Sequence, residues 1–229
     1  MSAAPGWHEF GDGAALASAL AQAVAADLRT AIAARGCARL VVSGGRTPQA
    51  FLTALARQAL DWPRVIVTLA DERWLPPDHP RSNERLLRST LLQGAAAAAR
   101  FVPLYRDLPV ASAVAQLERE LAHAGLPFDV VVLGMGLDGH TASLFADADG
   151  LAAALDPQGV ARVMLLQAPS AGEPRMTLTL RALASSRRLY LHIEGAAKRE
   201  LYESPRLAGS PLATVLATVR APVAVYWAP

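Results

Sequence analysis

A histidine directly after a glycine-rich turn is the arrangement in this sequence most suited to chemistry. His140 follows the segment 134–139, which itself follows the apolar, strand-like run Phe128–Leu133. An imidazole, whose ordinary pKa is about 6.5, can accept a proton at neutral pH. Asp138, two residues earlier, can orient the ring. The spacing predicts that His140 is a general base; a purely structural histidine is the alternative.

The same turn has the literal spacing of a dinucleotide-binding loop, with glycines at positions 134, 136 and 139. A dinucleotide site also needs an acidic residue for the ribose, near the end of the next strand. The next predicted strand ends at Leu166 and Gln167, where there is no carboxylate. We therefore interpret the turn as one that exposes a histidine, and no cofactor is predicted.

A second loop has the composition of a phosphate-binding turn. It lies between a predicted strand and a predicted helix and reads Ser43-Gly44-Gly45-Arg46-Thr47-Pro48. Two glycines let backbone N–H groups approach an anion closely, and a helix N-terminus adds partial positive charge. An ordinary tight turn is the alternative. Thr47 is expected to cap the helix, with Pro48 at its first position.

Two carboxylates and an arginine stand in the polar loop that is predicted to follow the strand Val65–Leu69 and to run to about Ser82. The segment is Asp71-Glu72-Arg73-Trp74, with His79, Ser82 and Asn83 behind it. Charges at the end of a buried strand are costly without partners, which favours a ligand site. A solvated loop whose charges pair with one another is the alternative.

Two further cations, Arg175 and Lys198, stand at strand–loop junctions. Lys198 is the single lysine of the chain, against 21 arginines. A lysine ammonium is a compact, mobile charge, whereas the arginine guanidinium is a planar fork. The exception therefore indicates a specific task for Lys198, although each cation alone is a weak signal.

The elements that must position these residues alternate between strand-length apolar runs and helical patterns. This predicts an α/β fold, with an open, doubly wound, mostly parallel sheet and helices on both faces, in one domain over residues 1–229. Ligands of such sheets bind beyond the carboxyl ends of the strands. Predicted helices are Ala14–Ala34, the segment after Thr47, Asn83–Leu92 and Val110–His123. Predicted strands are Arg39–Val42, Val65–Leu69, Phe128–Leu133, Val163–Leu166, Leu189–Ile193 and Val223–Trp227.

Composition excludes several classes of protein. With 52% hydrophobic and 18% charged residues the chain can fill a core, and it has no apolar run of the ~18 residues that a membrane span needs. A net charge of +2 without a basic stripe argues against nucleic acid as a partner. One cysteine, Cys37, and an N-terminus unlike a secretory signal predict a cytoplasmic location. Without an H-E-x-x-H motif or a Cys/His cluster, no metal is predicted. The sequence also has neither the G-x-S-x-G elbow of a serine hydrolase nor a P-loop.

Taken together and in order, these motifs resemble the 6-phosphogluconolactonase family, which shares its fold with sugar-phosphate isomerases and glucosamine-6-phosphate deaminase. The resemblance runs from about Val42 to Lys198, and its most specific parts are DERW at 71–74 and DGHTASLF at 138–145. It implies that the substrate is a small phosphorylated sugar lactone. The reaction implied is its hydrolysis, the lactonase step of the oxidative pentose phosphate pathway, without metal or cofactor.

The resemblance also implies a role for each motif. His140 is implied as the general base, while Asp71, Arg73 and Asp138 line the sugar end of the site. Backbone N–H groups of the turn Gly136–Gly139, or Arg73, would stabilise the oxyanion. The residues implied to hold the phosphate are Ser43, Gly44, Gly45, Arg46, Thr47, Arg175 and Lys198.

Departures from the family pattern are few, and two other functions stay open. Ala146 stands where proline is common and Arg46 where serine is common, so Arg46 either adds charge near the phosphate or points to solvent. A glucosamine-6-phosphate deaminase is one alternative, but that family has a glutamate shortly after its histidine and this chain has none there. A sugar-phosphate sensor of the kind fused to transcription regulators is the other alternative. Such a protein would normally carry a DNA-binding helix-turn-helix lobe, whereas here one long helix fills the segment before the first predicted strand. We expect a monomer, or at most a weak oligomer.

Overall fold

Two sheets contain the strands of the computed structural model, which describes residues 5–229. In chain order the strands are β1 (Gly6–Glu9), β2 (Ala38–Val42), β3 (Val65–Leu69), β4 (Asp71–Arg73), β5 (Arg100–Val102), β6 (Val130–Leu133), β7 (Val163–Leu166), β8 (Arg175–Leu178), β9 (Leu189–Glu194) and β10 (Val223–Ala228). The larger sheet has the order β1-β10-β9-β6-β2-β3-β5, and every pair in it is parallel.

Helices cover both faces of the larger sheet. They are α1 (Gly13–Arg35), α2 (Gln49–Ala56), α3 (Asn83–Thr90), α4 (Val110–Ala124), α5 (Leu151–Ala154), α6 (Leu180–Ala184), α7 (Ala196–Glu203) and α8 (Pro211–Thr218). Every residue of β6 and β10 is buried. Successive side chains of a strand point to opposite faces, so a strand that is buried throughout is covered on both sides. The predicted fold class is confirmed.

The longest helix, α1, extends one residue beyond each end of the predicted helix Ala14–Ala34. The Asp12 side chain accepts a hydrogen bond from the Ala15 backbone N–H at 2.8 Å, which satisfies one of the free donors of the first turn. At the other end, Gly36 adopts φ 76°, a left-handed conformation that favours glycine and stops the helix. Between these caps, leucine, valine and alanine side chains face the core.

The second sheet was not predicted. It has the antiparallel order β4-β8-β7, so two predictions about these segments are wrong. Asp71–Arg73 is a strand and not the start of a loop, and Val163–Leu166 lies outside the parallel sheet. The cause is long-range pairing: the backbone of β4 bonds to β8, about a hundred residues later, and three residues of charged side chains give no local strand signal. The short strands β1 and β5 were also missed.

The described residues contain no helix long and apolar enough to cross a membrane. The buried apolar side chains of both sheets and their helices form one cluster. A single domain over residues 1–229 stays a prediction. The expectation about secretory signals concerns in part residues 1–4, which lie outside the described residues.

Candidate active site

A cavity of about 390 Å³ opens where the larger sheet's strands β2, β6 and β9 end, beside the second sheet. Every predicted site residue except Asp138 lines it. These residues are Ser43, Gly44, Gly45, Arg46, Thr47, Asp71, Arg73, His140, Arg175 and Lys198. The segments that follow β2, β6 and β9 meet because the carboxyl ends of parallel strands lie together. The second sheet brings Asp71, Arg73 and Arg175 to the same cavity.

His140 is held by Asp138. Its Nδ1 donates to Asp138 Oδ1 at 2.6 Å, and its side chain is 28% exposed. Partial burial acts to raise the pKa of the Asp138 carboxyl, but the charge and hydrogen bonds of His140 outweigh it and hold that pKa below its ordinary value. An ionised carboxylate can only accept a hydrogen bond, so the Nδ1 atom that faces it carries the proton, which leaves the lone pair on Nε2. The ring is therefore in the tautomer that a general base needs.

The turn before His140 depends on Gly136. A Cβ atom there would lie 2.2 Å from the His140 ring. The Gly136 N–H donates to the His140 carbonyl at 2.9 Å, and the Gly139 N–H donates to the Gly136 carbonyl at 3.1 Å. On its other side, the imidazole packs on Phe145 with ring centroids 4.1 Å apart. These contacts fix the imidazole at the cavity wall.

Asp71 is buried, and its carboxylate is fixed by Ser143, which lies in the segment that follows β6. Ser143 Oγ donates to Asp71 Oδ2 at 2.5 Å. The Ser143 backbone N–H in turn donates to the hydroxyl of Thr177, the residue that faces Asp71 in the β4–β8 pair. Ala142, the residue before Ser143, adopts φ 50°, which is unusual for a residue other than glycine. Ser143, for which the sequence predicted no role, therefore orients the carboxylate of Asp71.

Glu72 is fully buried and faces away from the cavity. It accepts hydrogen bonds from the backbone N–H groups of Arg73, Asn83 and Glu84 and from the Ser82 hydroxyl, at 2.7–3.1 Å. Burial raises the pKa of its carboxyl, and the three backbone donors partly offset this. The loop is thus not a solvated one whose charges pair with each other. Glu72 ties the β4 segment to the start of α3.

Two arginines stand side by side at the cavity. Arg73 and Arg175 are direct partners in the antiparallel β4–β8 pair. Burial lowers the pKa of the Arg175 guanidinium, and the neighbouring charge of Arg73 lowers it further. The Nε atom of each is buried without a protein partner. Like charges opposite each other are unfavourable, and Glu173, whose Oε1 is 3.4 Å from Arg175 Nη2, offsets part of this charge. The two Nε donors without a partner still favour an anion beside the pair.

Lys198 lies next to the loop Ser43–Pro48, which has the composition of a phosphate-binding turn. Its Nζ is 3.5 Å from Thr47 Oγ1. Burial lowers the pKa of the Lys198 ammonium, and the charge of Glu194 acts in the opposite direction.

The prediction that Thr47 caps α2 is wrong. The helix begins at Gln49, and its N-cap is Pro48, which has helical dihedral angles and makes no side-chain capping bond. The Thr47 hydroxyl is free to face Lys198 because the helix starts one residue later than predicted.

Position 44 requires glycine because the Asn83 side chain occupies the space that a Cβ atom would need. A Cβ atom at position 44 would lie 2.0 Å from Asn83 Oδ1, and the Asn83 amide itself donates to the Asp71 carbonyl at 2.9 Å. We expect Gly44→Ala to displace this loop, to destabilise the protein by about 1–3 kcal/mol and to lower kcat/KM. Chemical denaturation and initial rates measure the two effects.

The matched control is the same substitution in an Asn83→Ala background, where the space is free. There Gly44→Ala should cost clearly less stability than it does in the wild type. Equal costs in both backgrounds would show that the Asn83 contact is not what requires glycine.

Sequence reasoning missed His192. It lies on β9, is 2% exposed and lines the cavity, and its Nε2 is 2.9 Å from Glu194 Oε1. A histidine within the otherwise apolar run Leu189–Ile193 was the signal that could have found it. Within residues 5–229 no cluster of three or more His, Cys, Asp or Glu side chains is arranged to hold a metal ion.

Comparisons with known proteins agree on one family. A family model described as glucosamine-6-phosphate isomerases/6-phosphogluconolactonase matches residues 11–224. The chain is 48% identical over 227 residues to a 6-phosphogluconolactonase of Rhizobium meliloti, covering 97% of this chain and 98% of that protein. It is 49% identical over 226 residues to one of Mesorhizobium japonicum, covering 97% and 95%. A crystal structure of a 6-phosphogluconolactonase from Shewanella baltica matches with TM-score 0.93, 39% identity and 100% coverage of both chains.

Proposed function

Because the chain belongs to the glucosamine-6-phosphate isomerase/6-phosphogluconolactonase family, we infer that it hydrolyses 6-phospho-D-glucono-1,5-lactone to 6-phospho-D-gluconate. This is the lactonase step of the oxidative pentose phosphate pathway. The observation that carries the inference is the similarity, over nearly the whole length of both chains, to proteins named for this activity. The cavity suits such a substrate, since it joins a histidine base to several cations.

His140 is the general base of the proposed mechanism. Its Nε2 takes a proton from a water molecule while the water oxygen attacks the lactone carbonyl. The carbonyl oxygen then carries the negative charge of a tetrahedral intermediate. When that intermediate collapses, the bond to the ring oxygen breaks and His140 returns the proton to this leaving oxygen. Asp138 holds the ring and stabilises the imidazolium that forms between the two steps.

We assign the oxyanion to Arg73, because a charged donor stabilises negative charge more strongly than a neutral N–H group does. In the alternative stabiliser, the turn Gly136–Gly139, the N–H groups of Gly136 and Gly139 already donate to carbonyl groups of the turn. The Arg73 guanidinium lines the cavity beside a second cation, Arg175. A charged donor that is in place before the reaction stabilises developing negative charge without reorganisation.

The phosphate is assigned to the other cations and the glycine loop. The backbone N–H groups of Gly44–Thr47 and the Thr47 hydroxyl, with Lys198 and Arg175, present donors from separate chain segments to one cavity. The N–H and hydroxyl groups of Ser43 already donate to the Val132 carbonyl. The exposed Arg46 adds positive charge at its rim. Asp71, held by Ser143, is left to accept hydrogen bonds from the sugar hydroxyls. A monomer in the cytoplasm stays our expectation for the state and location of the enzyme.

The decisive assay follows acid release from freshly prepared 6-phosphogluconolactone, with and without the protein, against the spontaneous rate. Acceleration well above that rate supports the proposal. Ammonia release from glucosamine 6-phosphate with no effect on the lactone would instead indicate a deaminase. Tight binding of sugar phosphates without turnover of either would indicate a sensor.

We expect chelators to leave the activity unchanged, since the proposed mechanism uses a histidine base and arginine donors and needs no metal-bound water. Prolonged dialysis against EDTA, followed by initial rates with and without added divalent ions, measures this. A known zinc hydrolase treated in parallel checks that the chelation works. Activity that is lost on dialysis and restored by one divalent ion would contradict the metal-free mechanism.

A further inference from the structure

A ring of four charged residues joins the two cavity arginines to the loop that follows β4. Glu173 lies two residues before Arg175, the first residue of β8. Its Oε1 is 3.4 Å from Arg175 Nη2, and its Oε2 is 2.8 Å from Arg81 Nη1. Arg73 Nη1 donates a hydrogen bond to the carbonyl of Arg81. Because Arg73 and Arg175 are partners in the β4–β8 pair, these contacts form a closed ring. The steps proposed above use neither Glu173 nor Arg81.

Glu173 lies outside the cavity, next to an arginine that lines it. Arg73 and Arg175 line the cavity, whereas Glu173 and Arg81 do not. The Glu173 side chain is only 10% exposed, and a buried carboxylate is costly unless cations pair with it. Asp71, a second carboxylate whose charge acts on Arg175, lines the cavity. Glu173 is therefore placed to act on a ligand through the arginines and not by contact.

Arg175 is held at one end of its guanidinium. Its Nη2 donates to the Ala171 carbonyl at 3.0 Å and lies beside the Glu173 carboxylate. Its Nε has no protein partner. A long side chain loses rotamer freedom when it binds a ligand, which weakens binding. Fixing Nη2 in advance removes part of that cost and leaves Nε for an anion.

Arg73 is held through Arg81. The Arg81 backbone N–H donates to His79 Nδ1 at 3.1 Å, so the loop folds back on itself. The Arg81 side chain is 59% exposed, and an exposed ion pair contributes little to stability. Its pair with Glu173 nevertheless fixes the residue whose carbonyl accepts from Arg73. Loss of Glu173 is expected to loosen this carbonyl and, with it, the Arg73 guanidinium.

We propose that Glu173 is a positioning residue for both cavity arginines, holding Arg175 directly and Arg73 through Arg81. It touches neither the substrate nor the reacting atoms. Its effect is to place two cationic donors before the substrate arrives, so that they need not reorganise when negative charge appears beside them. The roles of Arg73 at the oxyanion and Arg175 at the phosphate belong to the proposed function, and this inference rests on them.

The test separates the two branches of the ring by kcat and KM. Glu173→Ala should lower kcat about 10-fold, less than the ~10²- to 10³-fold that removal of an oxyanion donor costs. It should also raise KM about 10-fold, because the phosphate contact of Arg175 is weakened. Arg81→Ala breaks only the branch to Arg73, so it should lower kcat and leave KM close to that of the wild type. Initial rates of acid release over a range of lactone concentrations give both constants.

Double variants show whether the effects pass through these arginines. In an Arg81→Ala background, Glu173→Ala should still raise KM but should lower kcat much less than it does in the wild type. In an Arg175→Ala background, Glu173→Ala should still lower kcat but should no longer raise KM. A residue with a merely structural role would give neither pattern.

Glu120→Ala is the matched control for stability. It breaks a partly buried ion pair with Arg106, 2.6 Å long, and neither residue lines the cavity. This variant should lower the thermal unfolding temperature and leave kcat and KM unchanged. If Glu173→Ala does not fold, Glu173→Gln replaces it: the amide keeps the shape of the side chain and one oxygen acceptor but cannot pair with both arginines. It should change kcat and KM in the same directions by smaller factors.

Folded Glu173→Ala and Glu173→Gln variants with the kcat and KM of the wild type would overturn the inference. So would Glu173→Ala effects that are the same size in the wild type and in both arginine backgrounds. A wild type that does not accelerate hydrolysis of the lactone would instead overturn the proposed function, and the inference with it. The two failures are therefore distinguishable.

Discussion

His140→Ala is expected to lower kcat for lactone hydrolysis by roughly 10²- to 10⁴-fold, the usual contribution of a positioned general base. The reason is geometric: Asp138 holds Nδ1 at 2.6 Å, which leaves the lone pair of Nε2 as the one basic site of this ring. Alanine removes both the base and the group that returns the proton to the leaving oxygen. Stopped-flow or pH-stat measurement of acid release, corrected for spontaneous hydrolysis, measures the loss.

A matched histidine separates this effect from a general one. His123 is exposed near the end of α4 and does not line the cavity, so His123→Ala should leave kcat unchanged. The ring of His140 packs on Phe145, so the thermal unfolding temperature of His140→Ala is compared with that of the wild type. A folded His140→Ala variant with near-native kcat would remove His140 from the mechanism.

Lys198→Ala is expected to raise KM for the phosphorylated lactone by about 10- to 200-fold, with a smaller effect on kcat. A charge-assisted hydrogen bond is worth about 1.5–3 kcal/mol, which converts to this range of affinity. The phosphate is bound similarly in the ground and transition states, so its contacts act mainly on KM. Some loss of kcat follows because the phosphate also positions the carbonyl relative to His140.

The informative quantity is the ratio of kcat/KM for the phosphorylated over the unphosphorylated lactone. We expect this ratio to be high in the wild type and much lower in Lys198→Ala. Lys198→Arg should restore it only in part, because a planar guanidinium differs from an ammonium in reach and shape. Arg57→Ala, which removes an exposed cation outside the cavity, is the control. An unchanged ratio in Lys198→Ala would mean that Lys198 does not recognise the phosphate.

The parallel sheet and the residues around its edge could be predicted from the sequence because their signals are local. The apolar run that forms β6 is continuous, as expected for a strand buried on both faces. Gly36, which stops α1, directly follows the last residue of the helix in the sequence. Since parallel strands have their carboxyl ends together, motifs after separate strands were expected to meet, and they line one cavity. Their chemical roles stay predictions.

The pairing of Asp138 with His140 is local and was predicted, but the tertiary structure alone decided which partners the other site residues have. The pairing of Arg73 with Arg175, the bond from Ser143 to Asp71 and the contact of Gly44 with Asn83 join segments whose separation along the chain carries no local pattern. Hydrophobic periodicity reports which side of an element is buried. It does not report which distant polar group the element meets there, and that depends on how the two sheets close around the cavity. For the same reason the hydrogen bond between the buried His192 and the partly exposed Glu194 became visible only in the folded chain.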